Sequence, residues 1–434
     1  MKFNRRSFIR QALATVACGS VFSENVWAEF IAHPLAGRKL PRWEKGHLRI
    51  TTFYCGNTES TFLLFPDGTS LLIDLGEYLC HDKIGPGLIL PSKNVSAGEL
   101  VSRYILEENP FGRKVDYFLL THYHSDHFGA LGKDARKTPY PRSKNGRYTL
   151  RGFGAALDRL DFSVIIDRSW PDVNDPVPRS DNYDGYTVAH LKEVYAEATR
   201  RGTRIERFEL KKGSRQIRLV HDDSLAKSEF AVRPLCARGQ MLKRDGTVVD
   251  MASAVKGASR SKFDENMLSI GLTVSLGDFG YFNAGDFSNV IRGEGNASMP
   301  IESVLAPELD RVEVMKASHH AFRDAMPQSI CSALSPRVLV CGVWHREHMH
   351  KEVLPRLLNG DRPCLFAPGI FPASRQVKEE NTPWVKAMAP EAFKGCHSVV
   401  DVAPDGKTYR LMLVSAADYE KTVLGAYEFR TRNR

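Results

Sequence analysis

The densest group of reactive side chains in this sequence is the run His122-x-His124-x-Asp126-His127. In an extended segment His122 and His124 project to the same side, so two imidazoles can share one metal ion. Asp126 and His127 then face a neighbouring position. Crowded imidazoles beside a carboxylate cost free energy unless each buried polar atom finds a partner. We therefore predict a metal site here, and the alternative is a solvated polar loop.

The run follows directly from a short apolar segment, Val115 to Leu120, which predicts a buried strand. Three other features fall at the ends of predicted strands, namely Asp74, Asp286 and the pair His319-His320. Alone, each of these is more often a turn residue or a satisfied surface pair. Together, and in this order, they predict one site assembled at strand ends in a layered α/β architecture.

The rest of the chain alternates strands, hairpins and helices. Apolar patterns predict strands over Leu48–Tyr54, Ser60–Phe65, Thr69–Asp74, Gln216–Val220, Leu268–Leu276, Gly280–Ala284, Val312–Ala317 and Arg337–Val343. Helical spacing marks 98–108, Tyr186–Arg200 and Lys351–Leu358. Residues 132–160 are basic and loop-like, and the polar composition of 237–265 predicts a mobile excursion.

The C-terminal residues 361–434 are predicted to form an extension of this domain. They carry a strand pair, Ser398–Val402 and Tyr409–Val414, around the turn Pro404–Lys407. The pair either continues the main sheet or forms a small appended hairpin, and the sequence leaves both open. We predict a structural role for the neighbouring His397.

The order of the polar features resembles the metallo-β-lactamase fold, whose second signature is His-x-His-x-Asp-His after a core strand. The resemblance implies a four-layer αββα sandwich over residues 45–360, with insertions at about 132–265. It also implies that Asp74 supports the metal loop, that Asp286 bridges two metal ions, and that one of His319 and His320 is the last ligand.

Further motifs resemble the extracytoplasmic hydrolase-like domain of the bacterial DNA-uptake channel family (ComEC type). They are Cys55–Phe62, Phe65–Gly68, Ile73–Gly76, Asn266-x-x-Ser269, Met315–His320 and Glu347–Leu357. The chain departs from that family twice. Its small glycine-serine segment reads Ala321-Phe322-Arg323 here, and its Gly-His-Pro reads Glu347-His348-Met349. This sequence contains no counterpart of the family's membrane channel.

The resemblance implies that His122 and His124 hold a first ion. Asp126, His127 and one of the paired histidines are implied to hold a second ion. Mixed histidine and carboxylate ligands favour zinc, and the aspartates leave manganese open. The implied cofactors are therefore two divalent ions.

A third histidine for the first ion is not obvious. His221 is the candidate, and a solvated loop histidine is the alternative reading. The corresponding place in the relatives holds Asn266 in this chain. His348 resembles a family position that orients substrate or donates a proton, with a surface imidazole as the alternative.

The first 28 residues predict a twin-arginine export leader. Arg5 and Arg6 precede a short apolar run, and Val26-x-Ala28 forms a small-residue cleavage site. Cys18 is a poor lipid acceptor, because Thr15 stands where a leucine is expected. Removing the leader lowers the formal charge from +9 to +6. We therefore predict a periplasmic or otherwise exported protein whose partner is the twin-arginine machinery.

Composition excludes several classes. The chain is 42% hydrophobic and 26% charged, as globular proteins are. No stretch approaches the roughly 18 apolar residues of a membrane span, and no Cys-x-x-Cys pair indicates a zinc ribbon.

Two divalent ions can hold a bridging hydroxide and activate it near neutral pH. The predicted function is thus an exported metal-dependent hydrolase of a small-molecule or nucleic-acid-like anionic substrate, such as a phosphodiester. Asp126, Asp286 and His348 are its predicted catalytic residues. The alternatives are a lactam, lactone or thioester hydrolase of the same fold, and a non-catalytic metal-binding protein.

Overall fold

The computed structural model describes residues 21–78, 95–131, 141–178, 183–222, 224–225, 229–345, 347–357, 365–366, 393 and 395–432. The α-helices are α1 (Val21–Ala32), α2 (Ala97–Glu108), α3 (Ser125–Phe128), α4 (Phe153–Leu157), α5 (Tyr183–Arg200), α6 (Ile301–Leu305) and α7 (Gln328–Leu334). Short 3-10 helices cover Met251–Ala254, Arg260–Lys262, Asn266–Leu268, Glu294–Asn296, Ala306–Glu308, Ser318–Ala321 and Leu354–Leu357.

The strands form two large sheets and one small hairpin. In chain order they are β1 (Leu48–Thr52), β2 (Thr61–Leu64), β3 (Ser70–Ile73), β4 (Lys114–Leu120), β5 (Asp161–Asp167), β6 (Arg204–Arg207), β7 (Phe230–Ala237), β8 (Gln240–Leu242), β9 (Val248–Asp250), β10 (Gly271–Leu276), β11 (Phe279–Asn283), β12 (Val290–Arg292), β13 (Ser298–Pro300), β14 (Val314–Lys316), β15 (Val338–Val340), β16 (Leu365–Phe366), β17 (Cys396–Val402), β18 (Thr408–Ser415) and β19 (Val423–Arg430).

The first sheet has nine strands in the order β19-β18-β17-β1-β2-β3-β4-β5-β6. The second has eight, in the order β16-β15-β14-β11-β10-β7-β8-β9, and β12 pairs with β13 separately. In each sheet one half is parallel, namely β3 to β6 in the first and β11, β14, β15 and β16 in the second. Parallel strands end at a common edge, so the loops after them meet there.

Three apolar cores separate four layers. The central core lies between the sheets and takes Ile50 and Leu71 from the first and Val274 and Val338 from the second. The outer face of the first sheet packs against α2, α4 and α5, and that of the second packs against α6 and α7. The predicted α/β fold, a four-layer αββα sandwich, is therefore confirmed.

Most predicted elements are present, with small changes at their ends. The helix predicted at 98–108 is α2, where Ser96 accepts from the Glu99 amide and the Glu99 carboxylate accepts from the Ser96 amide. The hairpin turns at Pro66–Gly68 and at Gly277-Asp278 lie between β2 and β3 and between β10 and β11. Long apolar runs with turn residues between them specified these elements.

Three predicted features are wrong. Residues 216–220 are not a strand: Ile217 and Leu219 are buried, but the Val220 amide donates to the Thr69 hydroxyl rather than to a neighbouring strand. The segment 237–265, predicted to be a mobile excursion, contains regular structure instead: it includes β8, β9 and two 3-10 helices, and Met251 and Phe263 enter a core.

The helix predicted over Lys351–Leu358 is also wrong in extent. Within the described residues it is a turn followed by the 3-10 helix Leu354–Leu357, and Leu358 lies outside them. Pro355 has no N–H to donate to the carbonyl four residues earlier, which disfavours a regular α-helix there.

The two ends of the described chain join the first sheet. β17 pairs with β1, so the predicted C-terminal hairpin continues this sheet, and β19 adds a strand that was not predicted. Residues 1–20 of the predicted leader lie outside the described residues, and its predicted cleavage site falls within α1. Of the helices that are described, none is both long and apolar enough to cross a bilayer.

Candidate metal centre

Four buried side chains converge where the carboxyl edges of the two sheets meet. Asp126, His127, Asp286 and His320 each offer one ligand atom, and these atoms lie within 4.8 Å of one another. His127 Nε2 is 3.1 Å from Asp286 Oδ2 and 3.8 Å from Asp126 Oδ2. His320 Nε2 is 3.2 Å from Asp126 Oδ2 and 3.4 Å from Asp286 Oδ2.

These separations fit one ion. A tetrahedral zinc ion with ligands at about 2.1 Å holds its donor atoms about 3.4 Å apart. His127 Nε2 is also buried without a hydrogen-bond partner among the described residues, although a carboxylate oxygen lies nearby. An unpaired nitrogen facing two carboxylates is costly in a protein interior and is satisfied by a cation. The donor set therefore fits a divalent metal.

Asp74 orients His127. Its backbone adopts a left-handed conformation directly after β3, with φ of 53°. Its carboxylate accepts the Thr121 amide at 2.8 Å, the Thr121 hydroxyl at 2.7 Å and His127 Nδ1 at 2.8 Å. With Nδ1 held by Asp74, Nε2 faces the other three ligand residues, where a deprotonated ring would offer its lone pair to a metal ion. The structure thus brings Asp74 into contact with His127 and Thr121, and its supporting role in a metal site stays a prediction.

Two glycines permit the close approach of the loops. A Cβ on Gly76 would lie 1.9 Å from the carbonyl carbon of Asp126. Gly285, which precedes Asp286, has φ of 53°, and a Cβ there would lie 2.5 Å from the Thr121 hydroxyl. Any side chain at either position would therefore push Asp126 or Asp286 away from the cluster.

The loop after β14 selects one of the paired histidines. His319, His320 and Ala321 all have positive φ, at 44°, 51° and 55°. Such a run of non-glycine residues is strained, and strain of this kind concentrates at functional sites. It directs His320 into the cluster, where Nδ1 lies 2.8 Å from the carbonyl of Gly342.

His319 points away from the four-ligand cluster. Its Nδ1 lies 2.8 Å from Asp324 Oδ1 and 3.1 Å from Ser288 Oγ. Its Nε2 lies 3.4 Å from the amide nitrogen of Asn266. Of the two predicted alternatives, the structure thus brings His320 to the cluster and places His319 beside it.

His122 and His124 form a separate pair next to the cluster. His122 Nε2 is 3.1 Å from His124 Nδ1, and the His122 ring is 4.1 Å from the His127 ring. Neither belongs to the four-ligand group, and among the described residues no third histidine joins them. Asn266 Oδ1 is buried without a hydrogen-bond partner within the described parts of the chain. A first-ion site is therefore less complete than the second.

The predicted ligand His221 is placed elsewhere. Its Nε2 lies 3.0 Å from Asp116 Oδ2, and its ring stacks on Phe111. Asp116 lies near the start of β4, six residues before His122, which is about 20 Å along an extended chain. The reading of His221 as a histidine outside the metal site is therefore the one the structure supports.

His348 lies against the cluster and is buried, and its predicted role in orienting substrate or donating a proton stays a prediction. Its ring stacks on that of His320 with centroids 4.2 Å apart. Its Nδ1 accepts the Trp344 amide at 3.4 Å, so the neutral ring carries its proton on Nε2. Burial and the neighbouring charge of His320 hold the pKa of His348 well below its usual value.

Lys316 and Glu59 set the electrostatics and were not predicted. The buried ammonium of Lys316 donates to the Gly285 carbonyl at 2.8 Å and to Asp286 Oδ1 at 3.2 Å. It lies 3.7 Å from Glu59 Oε2, which is 3.1 Å from His320 Nδ1. Because Oδ1 of Asp286 accepts from Lys316, Oδ2 is the oxygen through which Asp286 would help to hold a metal ion.

Charge pairing shifts the titration of the ligands. Burial opposes charge on His127, but Asp286, Asp74 and Asp126 outweigh it and raise the pKa of His127 to about 10. Burial likewise opposes ionisation of Asp286, yet His127, His320 and Lys316 hold its pKa well below the usual value. Burial, followed by the charges of His127 and His124, lowers the pKa of His122. The four-ligand cluster is thus strongly charged, whereas the adjacent His122 favours its neutral form.

The buried ion pair between Arg168 and Glu265 holds the histidine loop, which carries His122 to His127, in place. It was not predicted from the sequence. Glu265 accepts the Tyr123 amide at 2.8 Å and both Nε and Nη2 of Arg168, at 2.8 and 3.0 Å. The Arg168 guanidinium lies 3.9 Å from the centre of the Tyr123 ring, and the Tyr123 hydroxyl donates to Asp167. Glu265 directly precedes Asn266, so the hydrogen bond from the Tyr123 amide to Glu265 connects the histidine loop to the loop that carries Asn266.

Comparison with known proteins supports the superfamily. Residues 58–185 match the sequence model of the Metallo-beta-lactamase superfamily. The match includes Asp74 and the His-x-His-x-Asp-His run, while Asp286 and His320 lie outside it. No curated protein matches the chain. The resemblance to this superfamily is confirmed over these residues, and the closeness to the DNA-uptake family stays a prediction.

Solved structures give only distant likenesses. A mutant form of CmlA beta-hydroxylase is 12% identical with a TM-score of 0.33, over 74% of this chain and 50% of that one. A protein of Parabacteroides distasonis ATCC 8503 described as a metal-dependent hydrolase is 12% identical with a TM-score of 0.30, over 73% of this chain and 91% of that one. This chain spans half the length of the first structure. At these scores neither likeness indicates a substrate.

Proposed function

We propose that this protein is an exported metal-dependent hydrolase that cleaves a phosphodiester or a related anionic substrate. The observation that carries the proposal is the convergence of Asp126, His127, Asp286 and His320 with spacings that fit one divalent ion. Structural zinc sites more often use cysteine, and the four-ligand cluster contains none, although Cys341 forms a neighbouring group with Glu59 and His320. A charged, oxygen- and nitrogen-lined site at the edge of two sheets is suited to hydrolysis.

The chain's own residues would hold two ions of unequal affinity. The four-ligand cluster would hold the tighter ion, and His122 with His124 would hold the weaker one. Zinc suits the mixed ligands best, with manganese as the alternative. When bound, such ions act as Lewis acids, neutralise charge on phosphodiester oxygens and activate water near neutral pH.

The residues around the ligands would orient the substrate. Lys316 keeps Asp286 ionised by direct contact, and Asp74 fixes the ring of His127. His348 presents a proton on Nε2 beside His320, where it can donate to a leaving-group or non-bridging oxygen. The formal charge of the proposed exported form, +6, is compatible with an anionic substrate.

The test is metal content together with a substrate panel. Purified protein should contain one to two equivalents of zinc or manganese, and metal add-back to stripped protein should restore hydrolysis of bis-p-nitrophenyl phosphate. Nitrocefin and a lactone panel test the alternative of acyl hydrolysis. A well-folded preparation without bound metal would contradict every hydrolase reading, and turnover of nitrocefin alone would replace the phosphodiester proposal.

Export has its own test, because the predicted cleavage site lies inside α1. Cleavage after Ala28 would remove Trp27, whose ring packs against Phe30 and Phe393. We propose that the exported form begins near Glu29 and retains Phe30 in the core. N-terminal sequencing of periplasmic protein should find this end, and replacing Arg5 and Arg6 with lysine should block export. If the unaltered protein and the variant with lysine at positions 5 and 6 were both found only in the cytoplasm, export would be refuted.

A further inference from the structure

The loop 318–326, between β14 and α7, carries the ligand His320 and has an unfavourable backbone at several positions. Residues 319–321 are left-handed in succession, and Met326 near the end of the loop is left-handed as well, with φ of 54°. Non-glycine residues keep such conformations only where the surrounding structure determines them. The place of His320 in the cluster therefore depends on the contacts that hold this loop.

Two side chains of opposite charge hold the backbone of Met326. Glu302 of α6 accepts the Met326 amide through Oε2 at 2.6 Å. Arg356, in the last of the 3-10 helices, donates from Nη1 to the carbonyls of Met326 and Ala325, at 2.9 and 3.0 Å. Both polar backbone groups of this fully buried, left-handed residue are thus paired with side chains from other elements. We call Glu302 and Arg356 the Met326 clamp.

The carboxyl of Glu302 is buried against the loop, since the residue is only 1% exposed. Burial raises the pKa of Glu302 to about 8, so the group is mainly protonated near neutral pH. An apolar side chain would avoid the cost of burying a polar group here. What Glu302 adds is an acceptor for the Met326 amide, which no backbone carbonyl accepts in the described parts of the chain.

Only six positions separate the clamped residue Met326 from His320. The carbonyls of His320 and of the next residue accept amides from residues 349–350, which hold the first half of the loop. The clamp holds the left-handed residue at the other end. Without it, the second half could relax to a right-handed backbone, and the strained first half could then turn His320 away from the other ligands.

We propose that Glu302 is a positioning residue which, together with Arg356, holds the loop 318–326 so that His320 stays in the metal cluster. The inference rests on the proposed metal-dependent function and assigns the contact that keeps one of its ligands in place. Glu302 and Arg356 are not members of the four-ligand cluster. Their removal should therefore change metal affinity and ligand geometry before it changes any chemical step.

The test is the affinity of the full chain for its tighter zinc ion, measured by competition with a chromogenic chelator. Glu302→Leu removes the acceptor and should weaken zinc binding by about 10- to 100-fold, as expected for a group that orients a ligand. Arg356→Met should weaken it by about tenfold. Glu302→Gln should stay within about threefold, because its amide carbonyl accepts the same hydrogen bond.

Full zinc affinity in the folded Glu302→Leu and Arg356→Met proteins would overturn the proposal. Arg356 is half-buried, so its variant tests the clamp even where Glu302→Leu does not fold. Loss of affinity in Glu302→Gln equal to that in Glu302→Leu would also count against it, since the hydrogen bond would then not be what matters.

Glu313 provides a matched control at the start of β14. It is 3% exposed and accepts from Arg432 at 2.9 Å, so Glu313→Leu also removes a buried carboxylate beside an arginine. This variant should unfold at lower urea concentration but bind zinc with unchanged affinity while folded. Cobalt(II) absorption should change in Glu302→Leu and not in Glu313→Leu. Equal losses of zinc affinity in the two variants would mean that only stability had changed, and would reject the clamp.

These measurements need no substrate, which separates the clamp from the proposed function. Zinc binding that weakens in Glu302→Leu, in a protein that hydrolyses no ester of the panel, would reject the hydrolase function and keep the clamp. Hydrolysis of phosphodiesters together with full zinc affinity in both clamp variants would keep the function and reject the clamp.

Discussion

Two aspartate–histidine pairs lie at opposite ends of β4, and they are built alike. Asp74 accepts an amide and a hydroxyl from Thr121 and contacts His127 at 2.8 Å. Asp116 accepts an amide and a hydroxyl from Ser70 and contacts His221 at 3.0 Å. The carboxylates are buried in both pairs.

The pairs differ in what surrounds the rest of the histidine ring, beyond the nitrogen that contacts the aspartate. The His127 side chain is fully buried, and Asp126, Asp286 and His320 surround its other nitrogen. The His221 side chain is 21% exposed, and its ring stacks on Phe111. An oriented histidine is therefore common to both ends of β4. Only the carboxyl end, where loops of the second sheet also arrive, gathers enough ligands for an ion.

The largest expected effect is the loss of a ligand from the second sheet. Asp286→Ala should lower turnover by about a thousandfold, because Lewis-acid stabilisation is worth several kcal/mol. It should also remove the tighter ion, as measured by metal analysis after dialysis. His221→Ala is the control at the opposite end and should retain full turnover. An active Asp286→Ala protein would show that the cluster is not the reaction centre.

The second prediction concerns replacement of the aspartate by asparagine in each of the two pairs. Asp74→Asn should weaken binding of the tighter ion by about 10- to 100-fold, because a group that orients a ligand is worth that much. Competition with a chromogenic chelator measures the affinity. Asp116→Asn makes the same change 42 positions along the chain and should leave the affinity unchanged. Equal losses in the two variants would mean that only stability, and not ligand orientation, had changed.

A third prediction sharpens the difference inside the centre itself. His124→Ala should remove the weaker ion and leave about one equivalent bound, because the four-ligand cluster is complete without it. Turnover should fall by about tenfold if the remaining ion supplies most of the Lewis acidity. Loss of all metal from His124→Ala would instead indicate that the two ions bind as a unit.

The smallest effect on activity is expected at the amino end of β4. Asp116→Ala should lower the free energy of unfolding by about 1–3 kcal/mol, because the buried Ser70 amide loses its acceptor. Turnover per folded molecule should stay unchanged. Urea unfolding and kinetics on the same preparation test both statements. Reduced turnover in the folded variant would show that the Asp116–His221 pair affects the metal centre, contrary to the difference between the two pairs described above.

The sequence predicted the strands before the centre well, because apolar runs mark where β4, β11 and β14 end. It could not choose between His319 and His320, since the choice depends on three successive left-handed backbone conformations. The sequence suggested His221 as a ligand because His221 and Asp222 follow the alternating apolar residues of 216–220, which resemble a strand. That alternation buried Ile217 and Leu219 without forming a strand.

Contacts between distant residues could not be predicted either. Arg168 and Glu265 are 97 positions apart, and neither stands in a recognisable motif. Lys316 and Glu59 lie inside motifs that were identified, yet their pairing needs both sheets in place. Residue type and spacing therefore identified which loops carry chemistry, whereas the contacts that position the side chains come from packing of the two halves.

The pairing of β1 with β17 has a consequence for synthesis of the chain. Arg49 on β1 and its partner Asp401 are 352 positions apart, although they form an ion pair in the folded protein. At about 5–20 residues per second, a ribosome needs roughly 20 to 70 s to make that interval. During this time the buried strand β1 has one uncovered edge, which is a template for aggregation. Nascent chains in which every ligand residue is already made therefore still expose this edge of β1 until β17 emerges.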